Sequence, residues 1–529
     1  MNDNKNNKNY TSKVPQFSFD NDLEKQKKQL QNNPLIKRFK ESRKKMADDP
    51  YRPHYHFVSP ESTLNDPNGL CYWKEKWHLF YQGYPPEDPR QHWGHAISDD
   101  LIHWRDLPYA IYPEPEECCF SGTTYVEKDR VIAMYHGTKG GNMVAVSDDP
   151  LLLNWKKLTG KPVIPFPEDS SSVPYNIFDP CIWKKDGIYY SLSAGTLPHE
   201  PSGRRTRADF LFKSKDLKKW EYIHPFVEGD RFTLNGDDGA CPYFWPIGDR
   251  YILLFFSHMS GGQALLGNYD KKRNKFIVTE HFNFNFGPAT PGGIHAPSAT
   301  PDGKNGINVI FNMNPAKPTK GWDQIMSLPR NLTLIDKHEL GMKPAGDYKS
   351  LRYNHIKIKR QELPANQEIL LDNVSGKSLE IKADINTQDA PMVELNVLRS
   401  PDREEYTRIA FYRERGYRDW EKFENWNKQI RSHAFDSLIT VDNSYSSILS
   451  DVKSRAPETA PVFLNPDESL QLHVFIDRSV VEVFVNGKQC VAVRVYPGRE
   501  DSNGVSLYSR GKRAILKSLD AWEMKNIYN

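Results

Sequence analysis

The feature that most restricts how this chain can fold is its texture from about residue 53 onward. Short apolar runs with period-two alternation follow one another, each closed by Gly, Pro, Asp or Asn, and helical periodicity is nearly absent. WHLFYQGY, RVIAMYHG, GIYYSLSAG, RYILLFFSHMS and GINVIFNMN each suit one strand of roughly four to eight residues. A chain written this way is expected to be all-β.

Two weak internal repeats order those runs. The first is a Ser-Asp turn ending on a tryptophan: Ser98-Asp99-Asp100 to Trp104, Ser147-Asp148-Asp149 to Trp155, and Ser214-Lys215-Asp216 to Trp220. The second is a small or polar residue, usually before Pro, ahead of an apolar run: Asp66-Pro67, Ser121-Gly122, Asp179-Pro180, Cys241-Pro242 and Ala296-Pro297, at spacings of 55, 58, 62 and 55 residues. Five units of similar length, each with several short strands, predict a five-bladed β-propeller.

Around it the chain divides into four parts. Residues 1–49 read as a polar extension, disordered to about residue 19 and then a charged surface helix broken near Pro34, with a solvated outer face. Residues 50–345 hold the five units, and 346–368 read as a linker. Over 369–529 the runs LEIKADI, VELNVLRS, RIAFYRER, SLQLHVFIDRSVVEVFVNG and CVAVRVYP alternate strongly and predict a β-sandwich, with Asn486-Gly487 as a tight hairpin turn. Residues 413–433 interrupt it with a charged, aromatic insertion, either helix or surface loop.

Charge and cysteine usage exclude several function classes. With 71 basic against 68 acidic side chains, the net charge of +3 makes no field that would hold nucleic acid or an acidic membrane surface. No run approaches the ~18 apolar residues of a membrane span. The first residues lack an apolar leader segment, so a cytoplasmic location is expected, or secretion if a leader was removed. The six cysteines form no CxxC pair and no HExxH occurs, so neither a metal nor another cofactor is expected. The glycine pair in Ser257-His258-Met259-Ser260-Gly261-Gly262 lacks the lysine of a phosphate loop and reads as a strand-end turn. Nothing chooses an oligomeric state. The 12 Trp, 26 Tyr and 26 Phe suit a partner with flat faces, such as a sugar.

The chemistry-bearing residues stand where units begin. Asp66, between Asn65 and Pro67, is held in a rigid turn, and Asp179-Pro180 stands in the same relation to the third unit. In a propeller both would face the axis, and paired carboxylates across a pocket are the working parts of glycoside hydrolysis. NDPNG is also an ordinary turn.

Residues 52–113, with Phe120-Ser121-Gly122, Ser327-Leu328-Pro329-Arg330, Asp477-Arg478-Ser479 and Glu482-Val483-Phe484, resemble glycoside hydrolase family 32, the invertase, inulinase and levanase family. The resemblance spans about 50–529. It implies a five-bladed propeller followed by a β-sandwich, and a retaining attack on β-fructofuranosides such as sucrose or fructans. It further implies Asp66 as nucleophile, Asp179 as transition-state stabiliser, and Asn65, Gln82, Trp93 and Ser121 as pocket residues.

Departures from the family pattern are as informative. The family's acid/base Glu precedes Cys-Pro, where this chain has Ala240, and the Arg before the stabilising Asp is Phe178. Three readings stay open at Ala240: a substitution made to trap a ligand, a natural carbohydrate binder without turnover, or migration of the acid. Asp238, two residues away and so on the same strand face, leads as the substitute, although a turn aspartate is the plainer reading. Phe178 argues for a divergent branch with an altered sugar preference. Fructosyl transfer would use the same residues.

Overall fold

The computed structural model describes residues 11–167, 173–197, 203, 205–417, 436–465 and 467–528. The expectations for residues 1–10 and for most of the insertion at 413–433 therefore lie outside the described residues.

Among the described residues the strands form seven sheets. Five follow in chain order as four- or five-stranded units, and two larger sheets follow them. The first five are the blades of a propeller. Their innermost strands are Leu64–Trp73, Cys119–Val126, Pro180–Lys185, Ala240–Ile247 and Ile294–Pro301. Every seam between blades has its own apolar filling. Phe80 and Trp93 of blade 1 meet Tyr135 of blade 2, and Ile132 and Met134 meet Ile182 and Phe210 of blade 3. Trp183 and Leu192 then meet Phe244 and Phe255 of blade 4. Leu64 and Leu79 against Ile310 and Met326 close the ring between blades 1 and 5.

The Ser-Asp-Trp repeat is the corner between the third and fourth strands of blades 1 to 3. Ser98 donates to Asp100, whose Oδ1 accepts the backbone N–H groups of Ile102 and His103 at 2.9 Å each. Asp149 and Asp216 repeat the arrangement. In each corner one leucine (Leu101, Leu152, Leu217) is held at positive φ. A side-chain carboxylate standing in for backbone acceptors makes this turn, which is why the residue types recur.

The two larger sheets pack face to face over a Val/Ile/Leu core that includes Ile381, Leu395, Val474 and Val483, the predicted sandwich. Asn486 and Gly487 both adopt positive φ in the turn between Val480–Val485 and Gln489–Arg494, as a tight hairpin requires. The stretch 346–368, expected to be a linker, instead supplies edge strands: Arg352–Ile358 and Gln361–Leu363 pair with Ala514–Met524 at the chain's end. Its charged residues suit an edge with one wet face, which is why it read as a loop.

The N-terminal segment also departs from expectation. Helices α1 (Leu23–Asn32) and α2 (Pro34–Lys45) break at Pro34 as predicted, with Asn33 capping α2. They are docked rather than solvated. Leu35, Ile36 and Phe39 pack with Tyr109 and Val14, Arg43 grips Asp106 with two hydrogen bonds, and Gln26 donates to Asp149 at 2.8 Å. Residues 11–19 run along blades 1 and 2, where Lys13 N–H donates to Asp88 and Phe19 N–H to Asn154. Burial of one narrow stripe on each helix is enough to hold the segment, and the charged remainder masked it in the sequence. No described helix is long and apolar enough to cross a membrane.

Candidate active site

The innermost strands of blades 1, 2, 4 and 5 each begin with a break in register, between Leu64 and Pro67, Cys119 and Gly122, Ala240 and Tyr243, and Ile294 and Pro297. A bulge bends the strand and re-aims a side chain. Proline suits such a position because it needs no ladder partner for a missing N–H. Blade 2 uses glycine for a different reason: a Cβ on Gly122 would collide with the Met134 carbonyl oxygen and the Tyr135 backbone. In four of the five blades the recurring signature therefore marks a bulge that turns a side chain toward the axis, while Asp179-Pro180 starts blade 3 in regular register.

What they turn there converges on Asp66. Its Oδ2 accepts hydrogen bonds from Ser121 Oγ at 2.6 Å and Gln82 Nε2 at 3.0 Å, with the Cys241 thiol at 3.5 Å. Its Oδ1 meets His295 Nδ1 at 3.1 Å. Burial alone would raise the Asp66 pKa, but the hydrogen bond and charge of His295, with those from Ser121 and Cys241, outweigh it and hold the carboxyl below its ordinary value. Asp66 is thus a buried, oriented carboxylate.

Asp179 closes the other side. The Cys241 backbone N–H donates to its Oδ2 at 3.0 Å, and the Cys241 thiol lies 3.6 Å from the same oxygen, so one thiol touches both acids. Burial first, then the charge of Asp66 and more weakly that of Asp238, push the Asp179 pKa up to about 7 against the Cys241 hydrogen bonds. Two carboxylates at equivalent blade positions therefore differ in protonation, one ionised and one retaining its proton until near neutrality.

Two outcomes follow. The folded value of Asp179 exceeds the ordinary carboxylate value of about 3.9, so its contribution to stability is full below about pH 4 and is lost as pH rises through about 7. Removing the neighbouring charge with Asp66→Asn shifts the Asp179 titration to lower pH, read by carbon NMR of labelled aspartate carboxyls. An unmoved titration would show that Asp66 is not the charge Asp179 senses.

The remaining expected residues fall as follows. Asn65 accepts from Asn312 Nδ2 at 3.0 Å beside the site. Phe178 is 53% exposed and lies flat against His136, with ring centroids 5.4 Å apart and planes within 3°. It lines a cavity of about 650 Å³ with Phe166, Tyr175, Arg205, Asp238 and Ala240. Asp238 is at the rim, hydrogen-bonded to His258.

Trp93 corrects the expectation of a pocket wall. It is fully buried between blades 1 and 2, packed on Phe80 and Tyr135, with its indole N–H donating to the Phe120 carbonyl. It supports the bulge that carries Ser121 and offers no surface to a ligand.

Cys241, His295, Asn312 and His258 were not among the expected residues. His295 was within reach of the sequence, since it directly precedes the fifth signature, Ala296-Pro297.

A five-bladed propeller with an unequal carboxylate pair at its axis, followed by a β-sandwich, defines the class of protein: a propeller–sandwich fold with two buried acids facing each other at its centre. The particular family follows from comparison. Residues 56–344 match the N-terminal domain of glycosyl hydrolases family 32, and residues 347–523 match that family's C-terminal domain, so the chain belongs to this family and is a glycosidase. It is 26% identical to a levanase of Bacillus subtilis, over 91% of this chain and 71% of that protein. It is 25% identical to a sucrose-6-phosphate hydrolase of Zymomonas mobilis, over 92% and 95%. In fold it is similar to the fructan 1-exohydrolase IIa of Cichorium intybus, with a TM-score of 0.77 at 22% identity, covering 90% of this chain and 98% of that one.

Proposed function

We propose that this protein hydrolyses β-fructofuranosides, sucrose or fructans, with retention at the anomeric carbon. Asp66 is the nucleophile, Asp179 the stabiliser that holds sugar hydroxyls, and Asn65, Gln82 and Ser121 the residues that position them. The observation that carries the reading is the convergence of Asp66 and Asp179 on one thiol with their titrations driven apart. An ionised carboxylate beside a polar, substrate-gripping partner is what a covalent glycosyl intermediate needs. The named relatives are a levanase and a sucrose-6-phosphate hydrolase, enzymes of fructan and sucrose phosphate.

In this reading Ala240 occupies the place of the family's acid/base Glu, and the duty passes to the Asp238 side of the same cavity. Phe178, standing where the family has Arg, gives the cavity an apolar face on the leaving-group side. Phe178→Ala raises KM by roughly 2- to 12-fold with kcat little changed, the loss expected for one ring contact worth about 0.5–1.5 kcal/mol. A fall in kcat alone would remove Phe178 from substrate binding.

The test is incubation with sucrose, inulin, levan and an aryl β-fructofuranoside, following released reducing sugar and the anomer first formed by proton NMR. Release of β-fructofuranose is expected. First formation of the α-anomer would remove Asp66 as nucleophile, and binding of each sugar without turnover would make the protein a carbohydrate binder.

A further inference from the structure

Retaining hydrolysis needs a group to protonate the leaving oxygen. Ala240 has no proton to give. Asp179 is buried with its Oδ2 tied to the Cys241 backbone N–H, and the reading above gives it the sugar hydroxyls. The adjoining hairpin supplies another group.

Ala240 pairs with Phe256 across the first two strands of blade 4, so the residues just beyond that pair, Asp238 and His258, are brought face to face. The His258 backbone N–H donates to Asp238 Oδ1 at 3.1 Å, and its ring Nδ1–H donates to Oδ2 at 2.6 Å. Two bonds to one carboxylate fix both the ring and its tautomer, leaving Nε2 as the working end. The ring lies edge-on to His295 with centroids 5.9 Å apart, and His295 in turn contacts Asp66 at 3.1 Å. The His258 side chain is 67% exposed, and Asp238, which holds it, lines the cavity together with Ala240.

Resting on the retaining reading above, we infer that His258, oriented by Asp238, is the acid/base of this enzyme. A longer side chain reaching in from the strand-end turn replaces the carboxyl that Ala240 lacks. In the first step an Asp66 oxygen bonds to the anomeric carbon while that carbon's bond to the leaving oxygen breaks. The proton on His258 Nε2 passes to that oxygen, so a neutral alcohol departs. In the second step a water oxygen bonds to the anomeric carbon, the ester bond to Asp66 breaks, and the water's proton goes to Nε2. The histidine ends as it began.

The electrostatics suit both steps. The groups facing His258 are Asp238 beside its own hairpin, Asp66 from blade 1, Asp179 from blade 3 and His295 from blade 5. The hydrogen bond to Asp238 raises its pKa above the ordinary histidine value, partial burial opposes this, and the charges of Asp238, Asp66 and Asp179 add to the rise. When Asp66 becomes an ester its charge is lost, so the imidazolium loses support as the histidine's duty changes from acid to base.

The experiment compares the parent protein with His258→Ala on sucrose and on p-nitrophenyl β-fructofuranoside. The variant loses about 10²- to 10³-fold in kcat/KM on sucrose, whose alkoxide cannot leave unprotonated, and less than about 5-fold on the aryl substrate, whose phenolate can. Azide, a nucleophile that needs no base, raises the variant's kcat on the aryl substrate and gives a fructosyl azide. In Asp238→Asn the high-pH limb of kcat/KM on sucrose moves to lower pH, because the imidazolium has lost its partner's charge. Equal losses on both substrates, a loss below about 3-fold on sucrose, or an unmoved limb in Asp238→Asn would overturn this inference alone. Failure of the parent protein to turn over either substrate would overturn the retaining reading with it.

Discussion

Asp66→Asn lowers turnover of sucrose or an aryl β-fructofuranoside by at least about 10⁴-fold while the protein stays folded. The size of the effect follows from what the residue touches. All its side-chain contacts are site groups: Ser121, Gln82, Cys241 and His295. None of them is a sheet or helix hydrogen bond, so the fold does not depend on them. An asparagine fits the same space. Its carbonyl oxygen takes the Oδ2 position and keeps the bonds from Ser121 and Gln82, and its amide N–H faces His295 Nδ1, which accepts in its other tautomer. The bonds survive, and the nucleophile of the proposed mechanism does not. An amide oxygen that cannot carry the negative charge forms no stable ester with the anomeric carbon, and an aryl leaving group gives no rescue because the lost event is bond formation. Initial rates on both substrates, with far-ultraviolet circular dichroism as the fold control, check the outcome. Residual activity within about 100-fold of the parent would transfer the nucleophile's role elsewhere.

The same residues show how far the sequence carries. Asp66, Ser121, Asp179 and Cys241 are each the residue just before Pro or Gly in the repeat, and all four point to the axis. The fold class and the positions of Asp66 and Asp179 were thus legible from one spacing pattern, whereas Ser121 was expected only from the family resemblance and Cys241 was not expected at all. The pattern failed by a single residue in blade 5, where His295 and not Ala296 faces Asp66. In blades 1, 2, 4 and 5 the repeat marks where a bulge occurs, but the bulge's local twist decides which of two adjacent side chains it aims. Trp93 shows the opposite limit, since an aromatic residue near a site is as useful filling a seam as facing a sugar, and only the packing around it decides. His258 was visible only as part of a glycine-containing turn. Its partnership with Asp238 depends on the pairing of two strands, which the sequence of either strand alone does not contain. The docked N-terminal helices were hidden for a related reason, because their apolar stripe is short and their receptor is a surface assembled from blades 1 and 2.

Glu482→Ala destabilises the protein by about 3–5 kcal/mol, the cost of leaving buried charges without a partner. The motifs around Ser327-Leu328-Pro329-Arg330, Asp477-Arg478-Ser479 and Glu482 are remote from the axis and meet where the sandwich joins the propeller. Glu482 is fully buried and accepts from the Leu328 backbone N–H at 2.6 Å, Arg330 Nη2 at 3.0 Å and His56 Nε2 at 3.1 Å. His56 bridges to Asp477 at 2.9 Å, and Asp477 also accepts the backbone N–H groups of His54, Tyr55 and His56. The alanine strands the guanidinium of Arg330, which is 0% exposed, and removes a carboxylate that ties the sandwich to the propeller. Unfolding by urea should then show an earlier transition, since one of the polar ties between propeller and sandwich is lost. The network also sets a pH dependence. Burial would lower the His56 pKa, but the hydrogen bonds and charges of Asp477 and Glu482 outweigh it and push it up to about 8. Its folded value lies above the ordinary value of about 6.5, so its stabilisation is complete below about pH 6.5 and is lost as pH rises through about 8, on the order of 2 kcal/mol. Glu482→Ala removes one of the two carboxylates responsible and flattens that slope. A loss under about 1 kcal/mol, or a slope between pH 6.5 and 8 equal to the parent's, would remove Glu482 as the source of that stability and pH dependence.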